Sequence, residues 1–490
     1  MGTKNQPTES LSRKVVRGGI WVFGLNLTVR GLGLIRTIIL ARLLIPLDFG
    51  LVGIATIAIS ALEVFTATGF STALIQKKGT ATDYLDTVWC IEIIRSIGLA
   101  IILLFLAPII AGFFENTKAV PVLRVMAITM GISAFRNIGI IYFDKEFQFN
   151  KQFVYNLGTE IASLSISIYL AFILRNVWAI IYGTLAGTIA KIILSYILHP
   201  YRPKLKFEVD KAKELFSFGK WILGSGIIIF LMFHGDDAFV GKFLGTAALG
   251  FYTMAYTISN LPATEITGVI SRVTFPAYSK LQNDIPKLRE GYIKVLQLTA
   301  FLSFPLSGGI FILAPDFTKI FLGDKWMPMV PAMQVLTLFG MIRAIGAATA
   351  QLFQGVGQPK TLTKMEALAL FLLAILIYPL SIRWGILGTA LAATLATLIP
   401  AMLSFYKAVK IIDWNMMDLS KVILPPLINT GIMILIIFAL KRGNIVGITN
   451  FLLFIAIGIL SYFYTTYLFM KFFKYRILAL IKESISALGG

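Results

Sequence analysis

Runs of about 20 apolar residues recur along nearly the whole chain, separated by short polar segments. A helix of that length spans the hydrocarbon core of a bilayer, so the repetition predicts many transmembrane helices rather than one anchor. The runs fall at 15–43, 49–74, 84–112, 119–143, 151–174, 178–198, 215–243, 247–275, 291–314, 329–353, 364–382, 384–406, 421–440 and 445–470. The chain is therefore expected to be an all-α polytopic membrane protein of about 14 spans. Residues 1–14 are polar and carry no cleavage pattern before the first run, so that run reads as a retained signal anchor.

Composition removes other classes. Of 490 residues, 57% are hydrophobic and 14% charged, against roughly 25% charged in soluble domains. An ordinary cytosolic enzyme, a disordered chain and a nucleic-acid binder with a solvated surface are excluded. The formal charge of +20 comes from basic residues lying between apolar runs, where they act as topology signals. With a cytoplasmic N-terminus the inner segments carry about 26 Lys and Arg and the outer ones about 9. Lys77, Lys78, the run Arg202 to Lys213, Lys471, Lys474 and Arg476 then lie inside, as do both termini. The tail 471–490 alternates basic and apolar residues at helical spacing and is expected on the inner membrane surface. The single cysteine, Cys90, excludes an internal disulfide and a cysteine-based zinc site. No Walker A, H-E-x-x-H or EF-hand pattern occurs, and His199 and His234 are too few for a histidine metal site. No cofactor is expected, and Na+ and H+ both stay open as a coupling ion.

The two halves repeat. Leu43 to Ala55 lines up with Phe243 to Ala255, and Gly19 and Trp21 with Gly219 and Trp221, at an offset of about 200 residues. Leu106-Ala107-Pro108 matches Leu313-Ala314-Pro315, Val120, Pro121 and Val125 match Val330, Pro331 and Val335, and Trp178 and Ile180 match Trp384 and Ile386. Six spans per unit return the chain to its starting side, so the copies are parallel. Parallel repeats about an axis along the membrane normal predict a V-shaped, two-lobed transporter with a central cleft. The expected layout is an N-terminal lobe (1–198), a cytoplasmic linker (199–214), a C-terminal lobe (215–410), two extra spans (411–470) and the tail.

Five stretches carry a family likeness: LARLLIPLDFGLVGIA (40–55), GFSTALIQKK (69–78), SFGKWILGSG (217–226), GDDAFVGKFLGTAALGFYTMAYTISNLP (235–262) and RVTFPAYSKLQ (272–282). They resemble the polysaccharide-export branch of the multidrug/oligosaccharidyl-lipid/polysaccharide flippase superfamily, near the Wzx-type and teichuronic-acid-type exporters, over residues 10–410. The resemblance implies flipping of an undecaprenyl-diphosphate-linked glycan across the bacterial cytoplasmic membrane, without an enzymatic activity. It further implies the lipid bilayer, a polysaccharide polymerase and export machinery as partners, and no nucleic acid.

Charges within spans are costly and should face the cleft or pair. Glu92 and Arg95 stand three apart on one helix face. Arg30 and Glu63 flank the Pro46 turn at equal depth and suit a hairpin ion pair. Arg36, Arg136, Arg272 and Arg343 have no acidic neighbour in sequence, and a diphosphate would match their forks. Arg30 joins them as a candidate substrate contact. Lys191, Lys220, Arg17 and Arg42 can snorkel. Glu63, Asp236, Asp237 and Glu265 are candidates for gating or ion coupling, and His234 for a proton site. The repeat sets Arg36 level with Asp236, which suggests a pair across the outer cleft. Adjacent Asp236 and Asp237 diverge around a helix and do not suit one metal ion. Gly183 and Gly187 make a small-residue packing face. A cation-coupled multidrug antiporter of the same fold is the alternative, with an acidic cavity. The balance within spans, about 9 basic against 7 acidic residues, favours an anionic substrate. A glycan polymerase or ligase would need a larger outer loop than the longest one here, around 315–328.

Overall fold

The computed structural model describes residues 28–66, 82–146, 148–209, 230–441 and 447–473. Arg17, the Gly19/Trp21 and Gly219/Trp221 matches, Lys77, Lys78, Lys220, the stretches 69–78 and 217–226 and most of the basic tail lie outside those residues. The helices are α1 (28–43), α2 (Pro46–Phe65), α3 (Thr82–Phe113), α4 (Ala119–Ser133), α5 (Phe149–Leu174), α6 (Trp178–Leu198) and α7 (230–239), which runs into a π turn at Val240–Leu244. They continue as α8 (Thr246–Ser259), α9 (Leu261–Leu281), α10 (Ile285–Phe317), α11 (Val330–Gly355), α12 (Pro359–Ile411), α13 (Met416–Leu440) and α14 (Ile448–Phe473). Among the described residues nine helices are long and apolar enough to cross a membrane. Helix α12 breaks at Gly385, where φ is +58°, a backbone region open to glycine, so it makes two passages. Helix α8 runs on into α9 through Asn260, whose φ and ψ are −89° and 0°. The succession of elements matches the predicted runs, and the chain is an all-α, two-lobed, multi-pass membrane protein.

Local chemistry sets the boundaries. Pro46 occupies the first turn of α2, where its missing N–H costs nothing. Asp48 is buried and accepts from Ile45 N (3.1 Å) and from Val177 N (3.0 Å), fixing the start of α2 against the start of α6. Helix α2 thus starts three residues before the predicted run. Asp284 caps α10 through Lys287 N, and Asn415 caps α13 through Met417 N.

In the first half α5 packs along α6, and α4 packs on α2, α3 and α6. In the second half α11 packs on α9, α10 and α12, while α13 docks on α10 and carries α14. Lipid gives apolar helices no hydrophobic reason to associate, so close backbone approach decides. A Cβ on Gly183 would stand 1.7 Å from Ser167 Oγ, and one on Gly187 3.0 Å from Ser163 Cβ. These glycines are the seam of α5 and α6, as their spacing predicts.

The halves meet through α2 and α8 at the end of the molecule marked by Pro46. A Cβ on Gly50 would lie 1.8 Å from the Thr246 carbonyl oxygen, and one on Gly250 1.9 Å from that of Pro46. Two loops clamp this crossing. Asn116 Nδ2 donates to Thr246 Oγ1 (2.9 Å), and Lys242 Nζ reaches Glu115 Oε1 (2.7 Å). From the other half Trp326 Nε1 donates to Ala41 O (2.8 Å) and Lys325 Nζ to Arg42 O (2.9 Å). Trp326 is fully buried, edge-on to Phe49 and Phe251. Turns at Gly245 and Gly323, with φ of +92° and +95°, end two matching π turns at this same end.

At the opposite end, residues 199–208 are strapped to α3. Tyr201 Oη and Lys204 N donate to Asp86 Oδ1 (2.5 and 2.8 Å), Glu208 N donates to Thr87 Oγ1, and Asn137 Nδ2 donates to Tyr201 O. Tyr201 N donates to His199 Nδ1 (3.2 Å), and the His199 ring stacks on Tyr142.

Candidate functional site

Arg343 is the best-framed cation in the second half. It sits on α11, half-buried, and donates to Tyr256 Oη (2.7 Å) and Asn260 Oδ1 (3.3 Å). Its guanidinium lies 4.8 Å from the Phe233 ring centre and 5.4 Å from that of Phe339. Tyr252, Tyr256 and Asn260 recur every fourth residue, so they form one stripe along α8. The stripe turns toward α7 as well, where Tyr252 Oη donates to Asp236 Oδ2 (2.7 Å), and Asp236 is 4% exposed. Asp237 lies on the next face, 3.6 Å from His234 Nδ1. One face of α8 therefore links a buried carboxylate to an arginine without joining them directly. Among the described residues Arg343 has no carboxylate partner, and its fork keeps donors to spare.

The first half holds a second polar column. Arg36 Nη1 bonds Ser163 Oγ and stands 3.6 Å from Glu160 Oε1, both on α5. Thus the expected pair of Arg36 with Asp236 or Asp237 does not form, because each charge is engaged inside its own half. Symmetry sets the two positions at one depth, but their helix faces turn to different neighbours. The halves are joined at the Pro46 end instead by the Gly50–Gly250 crossing and its loop clamps.

Nor does the Arg30–Glu63 pair form. The Glu63 side chain is exposed and makes no ion pair among the described residues, for equal depth does not fix azimuth. Arg30, also exposed, keeps other interactions. The Glu92–Arg95 pair does form, at 3.4 Å. Arg95 also donates to the carbonyls of Thr66 (3.0 Å) and Glu63 (3.2 Å), so it caps the end of α2. Arg136 is half-buried at the His199 end. Glu265 and Arg272 stand on α9, and their side chains lie outside those described. Sequence reasoning missed Tyr252, Tyr256 and Asn260, although their i, i+4 spacing was a usable signal. It also missed Trp326 as the cross-half plug, for which a loop tryptophan gave no directional cue. Among the described residues no cluster of three or more metal-ligating side chains occurs.

Residues 39–331 match the family model described as "Polysaccharide biosynthesis protein". The lipopolysaccharide biosynthesis protein WzxC of Escherichia coli (strain K12) is 24% identical over 403 residues, 82% of each chain. The teichuronic acid biosynthesis protein TuaB of Bacillus subtilis (strain 168) is 24% identical over 77% of this chain and 78% of its own. In fold, the chain is similar to the lipid II flippase MurJ in an inward closed conformation. That likeness has a TM-score of 0.76 at 18% identity, covering 92% of this chain and 99% of that one. An inward-facing multidrug resistance MATE family transporter of the MOP superfamily also shares the fold, with TM-score 0.60 at 18% identity over 83% and 97% of the two chains.

Proposed function

The chain belongs to the polysaccharide biosynthesis protein family, and from that premise we propose that it is a flippase for a lipid-linked oligosaccharide. It carries an undecaprenyl-diphosphate-linked glycan from the inner to the outer leaflet of the bacterial cytoplasmic membrane by alternating access, for cell-surface polysaccharide assembly. Both termini are cytoplasmic, which makes the Pro46 end the outer end and the closed crossing there the outer seal. Residues 1–198 and 215–410 form the two lobes, joined by the strapped linker.

The observation that carries this reading is Arg343, held between two rings with its fork aimed by Tyr256 and Asn260 and, among the described residues, no carboxylate to neutralise it. A diphosphate supplies that charge and accepts two parallel hydrogen bonds. Arg30, Arg36, Arg136 and Arg272 complete the cationic set in this reading. Asp236, with Asp237, Glu63 and Glu265, serves gating or coupling to Na+ or H+. An organic-cation antiporter would call for the opposite balance around Arg343. A surface-polysaccharide polymerase and the export machinery would receive the product.

The test is flipping of a fluorescent polyprenyl-diphosphate oligosaccharide by purified protein in liposomes. Protein-dependent loss of inner-leaflet label is expected. Equal label with and without protein, in vesicles that retain folded chain, overturns the reading.

A further inference from the structure

The seam between α5 and α6 keeps one antiparallel register. Gly183 faces Ser167 and Gly187 faces Ser163. Carried on by one and two turns, the register sets Lys191 opposite Thr159 and Ser195 opposite Tyr155. Ser195 Oγ accepts from Asn137 N at 3.0 Å, which brings the neighbouring Arg136 to this same stretch of the seam. There the Arg136 guanidinium lies beside the Tyr155 hydroxyl and within electrostatic reach of Lys191. Tyr155 is 5% exposed, and among the described residues its hydroxyl proton finds no acceptor. Among the described residues neither Arg136 nor Lys191 has an ion-pair partner. Lys191, which the sequence allows to snorkel, is half-buried at this polar seam.

Two cations held together at low dielectric repel, and a buried hydroxyl proton without an acceptor is costly. One multi-oxygen anion relieves both at once. The depth narrows the choice of anion. Lys191 lies seven residues before the end of α6 and Tyr155 six after the start of α5, so both stand about 10 Å inside the helix ends. That is the level of lipid headgroups and upper acyl chains.

We propose that Arg136, Lys191 and Tyr155 form a docking site for the phosphate of a lipid at the His199 end of the first lobe. On the flippase reading that end faces the cytoplasm, and the site is where the diphosphate of the substrate first lodges before it reaches Arg343. The chemistry is shared with an anionic phospholipid, so the test separates the two sources.

Full-length protein is placed in nanodiscs of phosphatidylcholine, with and without one-fifth phosphatidylglycerol. Farnesyl diphosphate is the probe, and retained phosphatidylglycerol is counted by native mass spectrometry. Lys191→Gln and Arg136→Gln should each weaken farnesyl diphosphate binding about tenfold, as expected for losing a charge-assisted bond. Lys191→Arg should keep most of it, and Tyr155→Phe should cost a few-fold. Loss of the probe with phosphatidylglycerol retention unchanged supports the site and assigns it to the lipid-linked diphosphate. Loss of phosphatidylglycerol supports the site and assigns it to the phospholipid. Wild-type values for both ligands in folded Lys191→Gln and Arg136→Gln overturn it. Because binding is read directly, a failed flipping assay does not decide this outcome, and a failed binding assay leaves the flippase reading standing.

Discussion

Gly50 and Gly250 stand 200 residues apart in the chain and back to back in the structure, each against the carbonyl that opens the other's helix. The Gly50 Cβ position is 1.8 Å from Thr246 O and the Gly250 position 1.9 Å from Pro46 O. The repeat relates Gly50 to Gly250 and Pro46 to Thr246, so the two approaches are one contact viewed from both sides of a pseudo-two-fold axis.

Alanine at either glycine must push the helices apart, since no flexible side chain stands there to yield. Overpacking of this kind costs about 1–3 kcal/mol, enough to favour opening of the Pro46 end by about fivefold to a hundredfold. The check uses Thr253→Cys in a Cys90→Ala background and an impermeant thiol reagent added from outside. Gly250→Ala should raise the labelling rate at least fivefold. Unchanged rates in both alanine variants would show that the crossing is not the seal.

Arg343 should be sensitive to shape as well as charge. Arg343→Lys keeps the cation but loses the fork, and should lower the initial flipping rate several-fold. Arg343→Ala should lower it further. Tyr256→Phe removes an acceptor that aims the guanidinium, worth about 1.5–3 kcal/mol for a bond to a charged group. It should fall between wild type and Arg343→Ala at equal expression.

Arg36 should couple to Glu160 and not to Asp236. Breaking a half-buried ion pair leaves one charge uncompensated, at about 1–3 kcal/mol here because both groups keep some exposure. Thermal unfolding in detergent should show Arg36→Glu and Glu160→Arg each destabilised, with partial recovery in the double swap. No recovery is expected for Arg36→Asp combined with Asp236→Arg. Recovery in that second pair alone would restore the cross-cleft pairing.

The strap at 199–208 should loosen in acid. Burial holds the His199 imidazole below its usual pKa, and neutral Nδ1 accepts from Tyr201 N. A depressed pKa means that the folded state prefers the neutral ring. The stabilisation is therefore present above the ordinary histidine value and is lost as pH falls through the lowered one. The protection of amides at residues 199–208, corrected for the intrinsic pH dependence of exchange, should be high at pH 8 and fall below about pH 6. His199→Gln should flatten that dependence in this segment. An unchanged acid response in the variant would place the titrating group elsewhere.

Much of the fold was legible in the chain. The apolar runs, the basic bias between them and the 200-residue offset required a multi-pass helical protein of two related halves, since bilayer thickness sets helix length and the repeat sets symmetry. The Gly183–Gly187 face was readable too, because small residues four apart align on one helix side. The Glu92–Arg95 pair followed from the same geometry.

What the tertiary structure alone decided was partnership across helices. Sequence places Arg36 level with Asp236 and Arg30 level with Glu63, but depth is one coordinate and azimuth is another. The packing of α1 against α5 turned Arg36 to Glu160, and the approach of α2 to α8 replaced a charge pair with two glycines. In lipid, helix rotation is set by where backbones come closest, and that distance is written in the assembled bundle rather than in any single run.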